Sequence, residues 1–150
     1  MISKEVRDME YRVVGGYGRR AIFDEEGNRI SDFFDEIYSD GLLEGESDYY
    51  IASRDKKDAI FDKEGRQISK WFNFIHHSGL VEGKSDYYIA CDKGSCAVYH
   101  KNGQKVSEDF STSYLEMAME GNVIFNDNLG IVELFDENGN LVKTIDFKPV

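Results

Sequence analysis

The chain has 150 residues and a formal charge of −11, from 18 Lys and Arg against 29 Asp and Glu. A negative surface of this kind is repelled by phosphate backbones and anionic headgroups, so nucleic acid and membrane are disfavoured partners. Hydrophobic residues make up 41% and aromatic residues 13%, which argues against disorder and lets a chain of this length bury a core without a disulfide or metal.

The start, MISKEVRDMEY, lacks the apolar stretch of a secretory signal. No apolar run approaches the roughly 18 residues of a membrane span. A cytoplasmic location is the resulting expectation.

Four related segments begin near residues 11, 49, 87 and 123. Residues 19–56 align with 57–94 without a gap, with 20 identities in 38 pairs. A third copy keeps Ala97, Gly103, Val106, Ser107, Phe110, Glu120 and Gly121 at the same offset, then loses two residues near Asn122. The fourth copy, with Gly139, is truncated. No linker composition interrupts them, so residues 1–150 read as one repeat domain, stacked or radially arranged.

In chain order, Gly15-Gly16-Tyr17-Gly18 joins the first two strands, the second being AIFD at 21–24. Asp24-Glu25-Glu26-Gly27 has the chemistry of a hairpin turn with Gly in the left-handed position, repeated at Gly65, Gly103 and Gly139. Ile30, Ile68, Val106 and Val142 then open a predicted third strand, which makes each unit a three-stranded meander. The connectors SDFFDEIYSDG (31–41) and SKWFNFIHHSG (69–79) carry Ser at an N-cap, apolar residues three or four apart and Gly at a C-cap. That spacing predicts a short helical turn, with an extended fourth strand as the competing reading. YYIAS (49–53) and its copy at 87 alternate as strands, entered through Ser47-Asp48 and Ser85-Asp86 turns. The fold expected is mainly β: tandem units of about 38 residues, each an antiparallel hairpin or meander, in a short solenoid or small propeller-like array.

The triplets Ile22-Phe23-Asp24, Ile60-Phe61-Asp62 and Leu134-Phe135-Asp136, each with Gly three residues after the Asp, resemble the WG-repeat family over nearly the whole chain. The place of the family's Trp-Gly pair is taken by Arg20-Ala21, Asp58-Ala59, Cys96-Ala97 and Val132-Glu133. The resemblance implies a repetitive interaction module with no catalytic site. A fainter likeness is to Tyr-rich hairpin repeats that bind choline or glucan.

Features shared by every copy are more simply explained by folding than by a unique site, so the residues that differ are the candidates. Trp71, Asn73, His76 and His77 in the second connector, and Asp32, Asp35, Glu36 and Asp40 in the first, form the candidate interaction surface. Between Asp24 and Asp48 ten acids face Arg29 alone, a local charge of −9, whereas the matching stretch from Asp62 to Asp86 is neutral. A basic partner or a plain solvated face would both account for that surplus.

All three His (His76, His77, His100) and both Cys (Cys91, Cys96) fall between residues 76 and 100. Free thiols, a disulfide across the predicted hairpin and a thiolate–imidazole metal site are the readings open there. The spacing is not that of a zinc finger, and His100 stands where other copies have Asp. No phosphate-binding Gly loop, zincin helix, EF-hand loop or nucleophile elbow occurs. The function expected is a non-enzymatic protein-interaction module without a cofactor. The alternative is a carbohydrate-binding or carbohydrate-active protein that uses Tyr49, Tyr50, Tyr87 and Tyr88 as stacking faces with carboxylates nearby.

Overall fold

A computed structural model describes residues 10–119 and 121–150; the leader reading of residues 1–9 and the repeat match at Glu120 lie outside the described residues. The chain is mainly β, with four small antiparallel sheets in succession. The first pairs β1 (Tyr11–Val14) with β2 (Ala21–Asp24). The second joins β3 (Glu36–Ile37), β4 (Tyr49–Arg54) and β5 (Lys57–Asp62). The third joins β6 (Phe74–Ile75), β7 (Tyr87–Asp92), β8 (Ser95–His100) and β9 (Phe110–Ser111). A helix, α1 (Thr112–Met117), precedes the fourth sheet of β10 (Asn122–Asn126), β11 (Ile131–Phe135) and β12 (Leu141–Asp146).

Each turn after the triplet closes on its own side chain. Asp62 Oδ1 accepts the N–H groups of Glu64 and Arg66 at 3.0 Å each. Asp24 and Asp136 do the same for the residues two and four further on. At the third turn the acceptor is His100 Nδ1, which takes the Asn102 N–H at 3.1 Å. Ser47 and Ser85 accept the N–H of Tyr49 and Tyr87 as the strands begin.

The expected three-stranded meander is complete only in the fourth unit. In the first three the third strand is reduced to single bridges, Phe23 with Arg29, Phe61 with Gln67 and Tyr99 with Lys105. A serine stops it. The hydroxyls of Ser31, Ser69 and Ser107 accept the N–H of Ile22, Ile60 and Val98 at 2.8, 2.9 and 2.8 Å, where a strand carbonyl would otherwise sit. The matching position of the fourth unit is Lys143, which has no such hydroxyl, and there β12 runs its full length.

Helical turns do not form in the first two connectors, which run extended. Phe34 exchanges backbone hydrogen bonds with Arg20 at 2.8 and 2.9 Å, and two residues later Glu36–Ile37 pairs with the next sheet. Phe72 repeats this on Asp58 before Phe74–Ile75 crosses to the third sheet. Apolar residues three apart fit a helix face, but here they fit a crossing between two sheets equally well, and the strand edges satisfy the backbone. Only the third connector, TSYLEM, forms a helix, with the Ser113 N–H on the Ser111 hydroxyl at 3.2 Å.

Three apolar clusters fill the spaces between successive sheets, and among the described residues none joins the first sheet to the last. In the second sheet Tyr50, Ala52, Ala59 and Phe61 face backward to the first, while Ile51 and Ile60 face forward to the third. The fourth sheet is turned over. Leu134 matches Ile60, yet with Val132 it packs back against Ile89 and Val98. Its other face, with Ile124, Glu133 and Asn122, is left to solvent. Asn122 and Glu133 stand where the second sheet has buried Tyr50 and Ala59, a change suited to a wetted surface.

Candidate interaction surface

The connectors and the tips of the β4–β5 and β7–β8 hairpins lie along one edge. Asp55 and Lys56 take positive φ at the first tip, and the Asp55 N–H is held by Asp35 Oδ2 at 2.9 Å. Asn73 repeats this one unit on, with its Oδ1 on the Lys93 N–H at 3.0 Å and its own N–H on Asp92 Oδ1 at 2.8 Å. Asp35 and Asn73 are therefore hairpin braces, and part of their polar capacity is already used.

Between the two braces lies a ladder of rings and guanidinium groups. Arg54 donates to the Phe33 carbonyl at 2.7 Å, and its guanidinium carbon lies 4.8 Å from the Phe34 ring centre and 5.5 Å from that of Trp71. Arg29 and Arg19 flank the Phe33 ring at 4.5 and 5.3 Å. Trp71 packs edge-on to Phe61 at 5.9 Å, so its inner edge is core and its outer part remains accessible. Phe33 is 41% exposed and Phe74 44%.

Of the eight candidate residues, Asp32, Asp35 and Trp71 fall at this ladder, and Glu36, Asn73 and His77 lie along the same connectors as exposed groups. His76 is buried. Burial, aided by the neighbouring His77, lowers its pKa to about 4, and its ring stacks on His77 at 4.5 Å. Asp40 lies apart from the ladder, in an acidic group with Glu44 and Glu46, where Glu46 Oε1 already accepts the Gly41 N–H at 2.8 Å. Arg54 and Phe33 were missed in the sequence; the signal was available, since Arg54 is matched by Asp92 and Phe33 by Trp71.

Cys91 and Cys96 are register partners joined by a disulfide, with Cα atoms 4.0 Å apart. Ser53 and Asp58 hold the same pair of positions one unit earlier. Tyr50, Tyr87 and Tyr88 are buried and Tyr49 is half-buried, so the four tyrosines are core and do not form a stacking platform.

At the opposite rim, the strand-entry turns line a polar cleft of about 690 Å³ with Tyr11, Lys63, Lys84 and Asp127. Its acids are engaged: Asp48 by Lys63 at 3.5 Å, Asp86 by Lys101 at 3.2 Å, and Asp127 by the Ser85 hydroxyl and the Asp86 N–H.

No family model matches the chain, and no curated protein does. Among solved structures, the crystal structure of HIRA(644-1017) is similar at 9% identity, over 97% of this chain and 47% of that chain, with a TM-score of 0.37. The chain thus spans less than half of that protein's length, and a likeness so loose carries no argument. No helix among the described residues is long and apolar enough to cross a membrane.

Proposed function

We propose that this chain is a non-enzymatic repeat module that binds a protein partner along its connector edge. One observation carries the reading: Arg54 is held at the surface by the Phe33 carbonyl and by the rings of Phe34 and Trp71, and Arg54 and Trp71 are positions where the copies differ. Trp and Arg dominate binding energy at protein interfaces, in pockets that exclude water. Because Arg54 is already fixed by a carbonyl and two ring faces, little of its conformational freedom remains to be lost on docking. The exposed Asp32 and Glu36 stand with Arg19, Arg29 and Arg54, so the edge is charge-mixed and favours a partner whose rim carries both signs. The likeness of the repeat to WG repeats points to the same class of function.

The test is recovery of partners from native lysate by the wild-type chain, by Trp71→Ala/Arg54→Ala, and by a cleft control, Lys84→Ala, with a glycan array run in parallel. The edge variant should lose at least tenfold in affinity, about 1.4 kcal/mol, while the control retains binding. Saturable glycan binding blocked by Lys84→Ala, with no protein recovered, would overturn the reading in favour of carbohydrate at the cleft.

A further inference from the structure

A groove of about 340 Å³ separates Phe74, the β7–β8 hairpin and α1, a volume within the range of small-molecule sites. Phe74, Leu115 and Met119 supply apolar walls, and Cys91 of the disulfide lies among them. Met119 is 70% exposed at the rim. The groove is absent from the preceding unit in kind, because Glu36 and Ser53 stand where Phe74 and Cys91 stand here and the extended Phe74–Ile75 takes the place of α1.

His76 forms part of the wall and is only 9% exposed. The Ser78 N–H donates to its Nδ1 at 3.1 Å, and the Ser78 hydroxyl lies 2.8 Å from the same atom. Nδ1 is therefore an acceptor, and the neutral ring carries its proton on Nε2. Among the described residues Nε2 has no hydrogen-bond partner, and it is open to solvent, unlike the buried orphans Arg20 Nε and Tyr50 OH.

The copies show that this free donor is not required by the architecture. Tyr38 matches His76 one unit earlier, and its hydroxyl donates to Asp58 Oδ1 at 3.2 Å. In the third sheet the place of Asp58 is taken by Cys96, which is committed to the disulfide. The internal acceptor has thus been removed while a donor is retained, which leaves that donor for a ligand. No cation lines the groove and Glu116 does, so a negatively charged ligand is disfavoured.

We propose that this groove binds a small neutral organic molecule with an apolar body and one carbonyl-type acceptor, held by the Nε2–H of His76. The site lies apart from the Arg54 ladder and does not depend on the protein-binding reading.

The probe is Nile red, a neutral dye with a ring carbonyl, followed by fluorescence in competition with benzophenone and with diphenylmethane, which has the same two rings and no acceptor. Saturable dye binding is expected, with benzophenone displacing the dye about tenfold more effectively than diphenylmethane, equivalent to about 1.4 kcal/mol. His76→Phe should erase that preference, and Met119→Glu at the exposed rim should weaken all three ligands at least tenfold. Should His76→Phe fail to fold, the ¹⁵N resonance of His76 Nε2 in the unmodified chain serves in its place, moving with benzophenone and not with diphenylmethane. Equal potency of the two competitors, binding indifferent to Met119→Glu, or no saturable binding would each overturn the proposal.

Discussion

The hydroxyl of Ser69 accepts the buried N–H of Ile60 at 2.9 Å and donates to the Lys70 carbonyl at 2.9 Å, so one side chain ends a strand and turns the chain toward the next sheet. Removing it leaves a buried amide unpaired, which costs about 1–3 kcal/mol. Ser69→Ala should lose that much in urea denaturation, and Ser107→Ala, at a more exposed site, should lose less. Equal losses at the two positions would count against burial as the cause.

Gly27 and Gly41 share nearly the same φ, +88° and +87°, but not the same surroundings. A Cβ at Gly27 meets nothing within 4 Å, whereas at Gly41 it would run into the Tyr49 carbonyl oxygen and the Val81 side chain. Gly27→Ala should therefore cost about 1–2 kcal/mol, the strain of left-handed backbone alone. Gly41→Ala should cost at least about 4 kcal/mol, the range in which a clash adds to strain. Thermal denaturation of the two variants checks the difference.

Burial raises the pKa of the Asp58 carboxyl above its ordinary 3.8, against the opposing hydrogen bonds from the Ile75 N–H and the Tyr38 hydroxyl. The folded chain then holds this proton more tightly than the unfolded chain, so the contribution is stabilising at low pH and is lost as pH rises through the shifted value. Asp58→Asn removes the buried charge and keeps an acceptor. Its stability relative to wild type should improve as pH rises from 3 to 7, read from denaturation midpoints. A gap that stays constant across that range would refute the assignment.

His76 behaves in the opposite sense. It stays neutral in the folded chain to about pH 4, while in the unfolded chain it protonates near 6.5. Acidification between those values favours unfolding by on the order of 1 kcal/mol per pH unit. His76→Tyr, which installs the residue found at the matching position 38, should flatten the stability profile in that window. Because Asp58 is common to both chains, its contribution drops out of the comparison.

The Cys91–Cys96 bridge closes a hairpin that its register already holds, as Ser53 and Asp58 do without a bond. Reducing the bridge should cost no more than about 2 kcal/mol in thermal denaturation, the closure entropy of so short a loop. Reduction by dithiothreitol should leave the far-ultraviolet circular dichroism unchanged.

The repeat period, the hairpin turns and the strand positions were legible in the sequence because local chemistry sets them: an Asp, a Gly three residues on, and a strand on either side. The connectors were not, since Phe34 and Ile37 at a three-residue spacing satisfy a helix face and a two-sheet crossing alike. What decided between them was backbone partners on strands distant in sequence, such as Ser53 for Asp35. Nor was the stop of the third strand legible, because Ser31 and Ser69 read as helix caps and act as strand terminators. At the surface, Trp71 was visible as a difference between copies, but its partner Arg54 comes from a hairpin 17 residues earlier in the chain.

The inverted fourth sheet bears on how many repeats such a chain can hold. A unit spliced in between the second and third sheets would find a receptive apolar face on each side. A unit appended beyond Val150 would meet Glu133, Asn122 and a half-wetted Ile124 in place of the forward face that every earlier unit offers its successor. The apolar forward face by which one sheet receives the next is thus present between the interior sheets and lacking on the outer face of the fourth.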